Sequence, residues 1–185
     1  MDFFEILKQR RSVRKYIDQP VEPEILEQVM TAAQSAPSWK NGQCWKFVVV
    51  TDPEIKKQVI GFTGVFNQSW LRTEYTIILA CGNPDESGYR NGQHYYLVDV
   101  AIALQNLALA ATALGLGTCW IGAFEEDKLK SLLRIPDAYR IVAITPLGYP
   151  AKSEGLVGNI AKTVVRRDTR KPLSDIFSYN GWESQ

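Results

Sequence analysis

Between Tyr95 and Gly117 the chain reads YYLVDVAIALQNLALAATALGLG, an apolar run that matches the roughly 20 residues a helix needs to cross a bilayer. Asp99, Gln105 and Asn106 interrupt it. Unpaired polar groups in hydrocarbon are costly, whereas a helix apolar on nearly every side is also found at the centre of a globular protein. A buried helix is therefore expected here, with no membrane partner. Such a helix needs cover on several sides, which is much to ask of a small domain; a second subunit can supply the remainder, and homodimerisation is the commonest way.

The flanking sequence supplies elements to pack on it. Helical spacing appears in DFFEILKQR, where Phe3, Ile6, Leu7 and Arg10 share a face, and in EPEILEQVMTAAQSA, where Ile25, Leu26, Val29, Ala32 and Ala33 recur three and four apart. Pro23 suits the first turn of the second helix and Pro37 its stop. CWKFVVVTD and YTIILAC read as strands, with the short helix PEIKKQVIGF between them. GNPDESGYRNGQH reads as a polar loop. Beyond the long helix, GTCWIGAF reads as a strand or turn, EEDKLKSLLRI as a helix ending before Pro136, and YRIVAITPLGYP as a strand. Helices and strands do not strictly alternate, so an α+β layered sheet is expected rather than a doubly wound one.

At 185 residues the chain is expected to form one domain over 1–185. The tail over 155–185 differs in kind: basic residues are followed by Leu173, Ile176, Phe177, Tyr179 and Trp182, which need something to pack on. It either folds back on its own domain or wraps over a neighbouring subunit. Twenty-one basic against 20 acidic residues give a net charge of +1, which argues against a nucleic-acid partner. Cys44, Cys81 and Cys119 lie far apart, with neither metal-ligand spacing nor the density of a disulfide scaffold. MDFFEILKQR lacks the apolar core of a secretory signal, so a reduced, cytoplasmic setting and no metal site are expected.

Three clusters carry chemistry. In RRSVRKY, the alternate spacing of Arg10, Ser12 and Arg14 allows two guanidinium groups and a hydroxyl to converge on a phosphate; arginines at a helix end that complement the dipole are the plainer reading. In SAPSWKNGQCWKFVVV, Pro37, Ser38, Asn41, Gly42 and Gln43 form a loop of backbone and side-chain amides, suited to the polar edge of a planar ring such as flavin, or simply to a helix-to-strand turn. In GLGTCWIG, Gly115, Gly117 and Gly122 allow tight turns or close approach, but they follow a helix instead of opening one, so this is no dinucleotide fingerprint.

The order RRSVRKY, APSWKNGQCWKFVVV, an apolar helix ending in GLGTCWIGAF, PLGYP, then RKPLSDIFSYNGW resembles the nitroreductase family of FMN-dependent oxidoreductases, from about Phe3 to Trp182. The resemblance implies an antiparallel or mixed central sheet flanked by helices in an intertwined homodimer, an FMN in each of two interface pockets, and residues 155–185 packing on the partner subunit. It implies ping-pong hydride transfer through flavin N5, from NADH or NADPH to a small-molecule electron acceptor such as a nitroaromatic or quinone. Relatives with other acceptor chemistry, such as enone reduction or reductive dehalogenation, and a non-catalytic flavin-binding module are the alternatives.

By the same resemblance Arg10 and Ser12 are phosphate ligands, with Arg11 contributing through its backbone. Arg14 matches the cation at the pyrimidine edge, where two-electron reduction leaves negative charge that a fixed cation favours. Pro37, Ser38, Trp39 and Asn41 match contacts to the partner's cofactor. Asn67 resembles the amide at the pyrimidine edge, and Ile121 and Gly122 match backbone N–H groups facing N5 and O4. Arg170 or Lys171 closes on the phosphate. Trp39, Lys40, Phe124 and Tyr95 are candidates for the acceptor pocket by position. Cys44 stands where the family often has proline and is expected to be buried and structural. No side chain is expected to be catalytic in its own right, and His94, the single histidine, reads as a loop or helix-start residue.

Overall fold

The computed structural model describes residues 2–72, 75–151 and 170–182. They fall in two compact units, Met1–Lys152 and Ser153–Gln185.

In the first unit, local signals start and stop the helices. α1 (Phe3–Gln9) begins at Asp2, whose carboxylate accepts the N–H groups of Phe4 and Glu5 at 2.8 and 3.1 Å. α2 (Pro23–Gln34) opens on a proline and stops three residues short of Pro37. β1 (Trp45–Val50) leads to α3 (Pro53–Gly61), capped by Asp52, and to the single turn α4 (Val65–Gln68). β2 (Thr76–Gly82) follows.

The stretch expected as a plain polar loop holds a small hairpin, β3 (Tyr89–Arg90) and β4 (Gln93–His94). Its turn residues Asn91 and Gly92 both have positive φ, 54° and 76°, the geometry that lets a two-residue turn match the twist of paired strands. His94 is exposed there, its ring 4.6 Å from that of Tyr89. α5 (Tyr96–Ala113), β5 (Gly117–Thr118), α6 (Glu126–Leu133) and β6 (Arg140–Gly148) complete the unit.

The main sheet runs β1-β2-β6-β5, and every pairing within it is antiparallel; one isolated parallel bridge joins Ser12 to Thr118. β2 is buried along all seven residues because both faces of the sheet are covered. Ile77, Leu79 and Cys81 join Val59, Trp70 and Leu129 on one side, while Ile78 and Ala80 join Val29, Val100, Leu104 and Leu107 on the other. Alternate residues of one strand thus enter two separate cores. The architecture is α+β in three layers.

α5 meets the expectation of a central helix in part. Tyr96, Asp99, Val100, Ala103, Leu104, Leu107 and Ala111 are buried, and Val100, Leu104, Leu107 and Ala111 among them share a core with α2 and the sheet. Leu97 and Val98 keep 45% and 46% of their surface exposed. By length and composition α5 is the one helix among the described residues that can cross a membrane, and in this fold 39% of it is buried by protein.

The second unit holds a 3-10 turn at Leu173–Asp175 and an edge-on pair, Phe177 and Tyr179, with ring centroids 5.6 Å apart. Ser178 donates from its hydroxyl to the Gly181 carbonyl. Of the tail singled out by sequence, 155–169 and 183–185 lie outside the described residues.

Candidate functional site

Arg10 caps α1, its N–H donating to the Ile6 carbonyl at 2.9 Å, and the chain then runs extended beside β5. Val13 N–H donates to the Thr118 carbonyl at 2.8 Å, and the approach requires glycine at 117, where a Cβ would stand 2.6 Å from the Val13 side chain. Arg10 and Ser12 therefore meet at a cavity of ≈ 60 Å³, walled by Leu104, Gln105 and Ala108 of α5 with Thr118 and Trp120. A guanidinium and a hydroxyl at one mouth suit an anion. The volume is far below the roughly 300–1,000 Å³ of a ligand pocket and is the size of a small anion.

Arg14 is not part of that wall, and the three alternate residues do not converge. Its guanidinium carbon stands 5.5 Å from the centre of the Trp70 ring, and Nη1 donates to the Ser12 carbonyl at 3.4 Å. Arg14 Nε is buried with no hydrogen-bond partner, and so is Trp70 Nε1. Buried donors left unpaired are costly, so a held cation with an unspent donor suits an acceptor brought from outside the chain.

Below Arg14 lies Tyr16, whose hydroxyl donates to the Val13 carbonyl at 2.8 Å. Burial first, then Cys119 and Tyr75, hold its phenol well above 10.0 despite the pull of Arg14. Trp70 N–H donates to the Asn67 carbonyl at 3.2 Å, and Gly64 N–H to the Ala123 carbonyl at 2.9 Å. Asn67 thus shares a turn with Trp70, and Gly64, at the start of that turn, bonds the segment that holds Gly122.

The Ser38–Gln43 loop sits elsewhere, at the N-terminal end of α5, and is not among the walls of the cavity. Three of its non-glycine residues have left-handed backbone: Lys40 at φ 48°, Asn41 at 58° and Gln43 at 50°. Such conformations persist where the surroundings over-determine them, and they gather at functional sites. Here Gln43 N–H donates to Ser38 Oγ at 2.9 Å, and Trp39 stacks on Tyr95 with ring centroids 4.5 Å apart. Trp39 N–H donates at 2.9 Å to the buried carboxylate of Asp99. Cys44 is buried too, its thiol pushed up to about 12 by burial, then by the charge of Asp99. It remains a protonated donor, not a nucleophile.

The nitroreductase family pattern matches residues 7–64 and 62–149, which together take in both the Arg10–Ser12 wall and the loop. The chain belongs to the nitroreductase family. A protein of Archaeoglobus fulgidus, provisionally named NADH dehydrogenase/NAD(P)H nitroreductase, is 36% identical over 146 residues, covering 76% of this chain and 81% of its own. A Bacillus subtilis protein named FMN reductase [NAD(P)H] is 35% identical over 162 residues, 78% of this chain and 64% of its own. The crystal structure of a nitroreductase family protein from Clostridium novyi NT superposes with a TM-score of 0.77 at 38% identity, covering 82% of this chain and 87% of the other. As a member of this family the chain is an oxidoreductase.

Of the positions that the family resemblance pointed to, Arg10 and Ser12 come together, Arg14 and Asn67 are linked through Trp70, and Pro37, Ser38, Trp39, Lys40 and Asn41 share the strained loop. Arg11 is exposed beside them. Ile121 needs correction. Its N–H donates to the Ile144 carbonyl at 2.9 Å, and its carbonyl accepts in return, so that amide is committed to the sheet and is not offered to a ligand. Gly122, next in the chain, is exposed, and a Cβ there would meet nothing within 4 Å. Phe124 is half-buried against the core. Arg170 and Lys171 belong to the second unit, where both are exposed. Asp99 had drawn notice only as a break in an apolar run; an acid buried in such a helix must gather donors, and that demand is the signal that finds it.

Proposed function

We propose that this protein is an FMN-dependent NAD(P)H oxidoreductase that reduces nitroaromatics, quinones or similar small acceptors, working as a homodimer in the cytoplasm. The observation that carries the reading is the division of labour along one extended segment: Arg10 and Ser12 at an anion-sized cavity, and Arg14 held apart with a buried, unspent donor. FMN has a permanent phosphate and a ring that gains negative charge on reduction, so these residues fit it.

Arg10 and Ser12 hold the phosphate, with Arg11 assisting through its backbone and Arg170 or Lys171 closing over it. Arg14, as a fixed cation, favours electron density at the pyrimidine edge, joined there by Asn67. The Gly122 amide faces the reactive edge. Bound FMN supplies hydride exchange at N5, first from NADH or NADPH and then to the acceptor. Pro37, Ser38, Trp39 and Asn41 reach into the partner's site, and Trp39, Lys40 and Phe124 border the acceptor.

The dimer is supported by what one chain leaves uncovered: Phe3, Phe4 and Leu7 on α1, with Leu97 and Val98 on α5. Residues 1–185 then form a single family domain whose extension, 155–185, packs on the partner. The three cysteines are buried thiols, which suits a reducing compartment.

Protein reconstituted with FMN should be yellow, bleach anaerobically with NADH or NADPH, and regain colour with menadione or a nitroaromatic. A colourless product, or a yellow one that neither nicotinamide bleaches, overturns the proposal. Bleaching without acceptor turnover would assign a flavin-binding module instead.

A further inference from the structure

The Asp99 carboxylate is 3% exposed in the first turn of α5 and has donors from three places. Trp39 N–H reaches Oδ1 at 2.9 Å, the Ser87 hydroxyl reaches Oδ2 at 2.7 Å, and the Cys44 thiol lies 3.6 Å from Oδ2. Two of those donors bracket the loop, and the third comes from the turn packed on it. A carboxylate only accepts, so it can satisfy all three together; an asparagine amide would turn N–H groups toward at least one of them. The helix N-terminus favours the negative charge at this position.

Between the two anchors the chain holds the left-handed residues Lys40, Asn41 and Gln43. The packing around them leaves no slack: a Cβ at Gly42 would stand 2.3 Å from the Glu86 carbonyl oxygen, and one at Gly88 would stand 2.3 Å from the Trp39 ring. Further along the same helix, Leu104, Gln105 and Ala108 wall the cavity at Arg10 and Ser12. One rigid element therefore carries both the loop's anchor and the wall of the anion site.

We propose that Asp99 is the positioning residue of the Ser38–Gln43 loop, its carboxylate fixing where the loop's polar groups stand relative to α5. The consequence for cofactor binding rests on the reading that this loop contacts FMN; the clamp itself does not. Amide hydrogen exchange on the FMN-free protein tests the clamp, and FMN titration with visible circular dichroism tests the consequence.

Asp99→Asn should speed exchange at the Trp39 and Gln43 amides at least about tenfold at unchanged oligomeric mass. It should weaken FMN binding at least about 30-fold and alter the flavin dichroism. Unchanged loop exchange in Asp99→Asn overturns the clamp. Faster exchange with wild-type FMN affinity and dichroism overturns its role in binding. If wild-type protein does not bind FMN at all, the functional reading fails while the exchange result still decides the clamp. Should Asp99→Asn fail to fold, Asp99→Ser takes its place: it keeps a small polar group at the helix start but withdraws the carboxylate from the Trp39 and Cys44 donors. The same pattern of loop exchange and FMN loss is expected there, and wild-type behaviour in that variant overturns the proposal.

Discussion

β2 and α5 are both strongly apolar, and they end in different surroundings. All seven residues of β2 are buried, because α2 and α5 close one face and α3 and α6 the other. α5 is covered along one side only, and Leu97 and Val98 stand open on the other. Hydrophobicity measures how much cover a segment needs; it does not say which chain provides it. β2 is completed within the fold, whereas the other side of α5 stays open in a single chain.

The comparison breaks if the two elements respond alike to damage. Leu79→Ala in β2 should cost about 2–5 kcal/mol, the range for a fully buried leucine, and urea melts should show it whatever the protein concentration. A loss below 1 kcal/mol would mean that the strand is loosely packed. Val98→Glu on α5 should leave the far-ultraviolet circular dichroism unchanged and raise the dissociation constant of the proposed dimer at least about 30-fold, roughly 2 kcal/mol. Sedimentation at micromolar concentration would reveal monomers; an intact dimer would remove this face from the interface.

The smallest effect sharpens the β2 side. Cys81, within the strand, is held up to about 12 by burial and then by the charge of Glu126, against 9.0 for an open thiol. The unfolded chain therefore gives up this proton first as the pH rises past 9. Stability is full below that pH and falls toward 12. Cys81→Ala should flatten the decline by up to about 1.4 kcal/mol per pH unit. Equal slopes in the two proteins would mean that the strand admits water.

Much of the layout was legible because periodicity reports burial. Alternating or continuous apolar runs marked β1, β2 and β6, and three-and-four spacing marked α1 and α2. The hairpin at Tyr89–His94 escaped since two-residue strands are too short to alternate, although Asn91-Gly92 is the turn such a hairpin requires. α4, a single turn, has no period at all. At the site, Arg10 and Ser12, two residues apart, line one cavity. Arg14, two further on, is not among its walls, and a repeat of two cannot say that Trp70 waits opposite it. Ile121 shows the converse: its sequence position matched a ligand-facing amide, but a backbone N–H has one hydrogen to give, and Ile144 takes it.

The sheet order β1-β2-β6-β5 also sets a timetable for synthesis. β6 is a central strand, yet it leaves the ribosome after α5. At roughly 5–20 residues per second, the nascent chain presents an uncovered helix of membrane-like hydropathy for some seconds before the strand behind it can close the sheet. Asp99, Gln105 and Asn106 then weigh against insertion into a bilayer during that interval, because polar groups in hydrocarbon are costly.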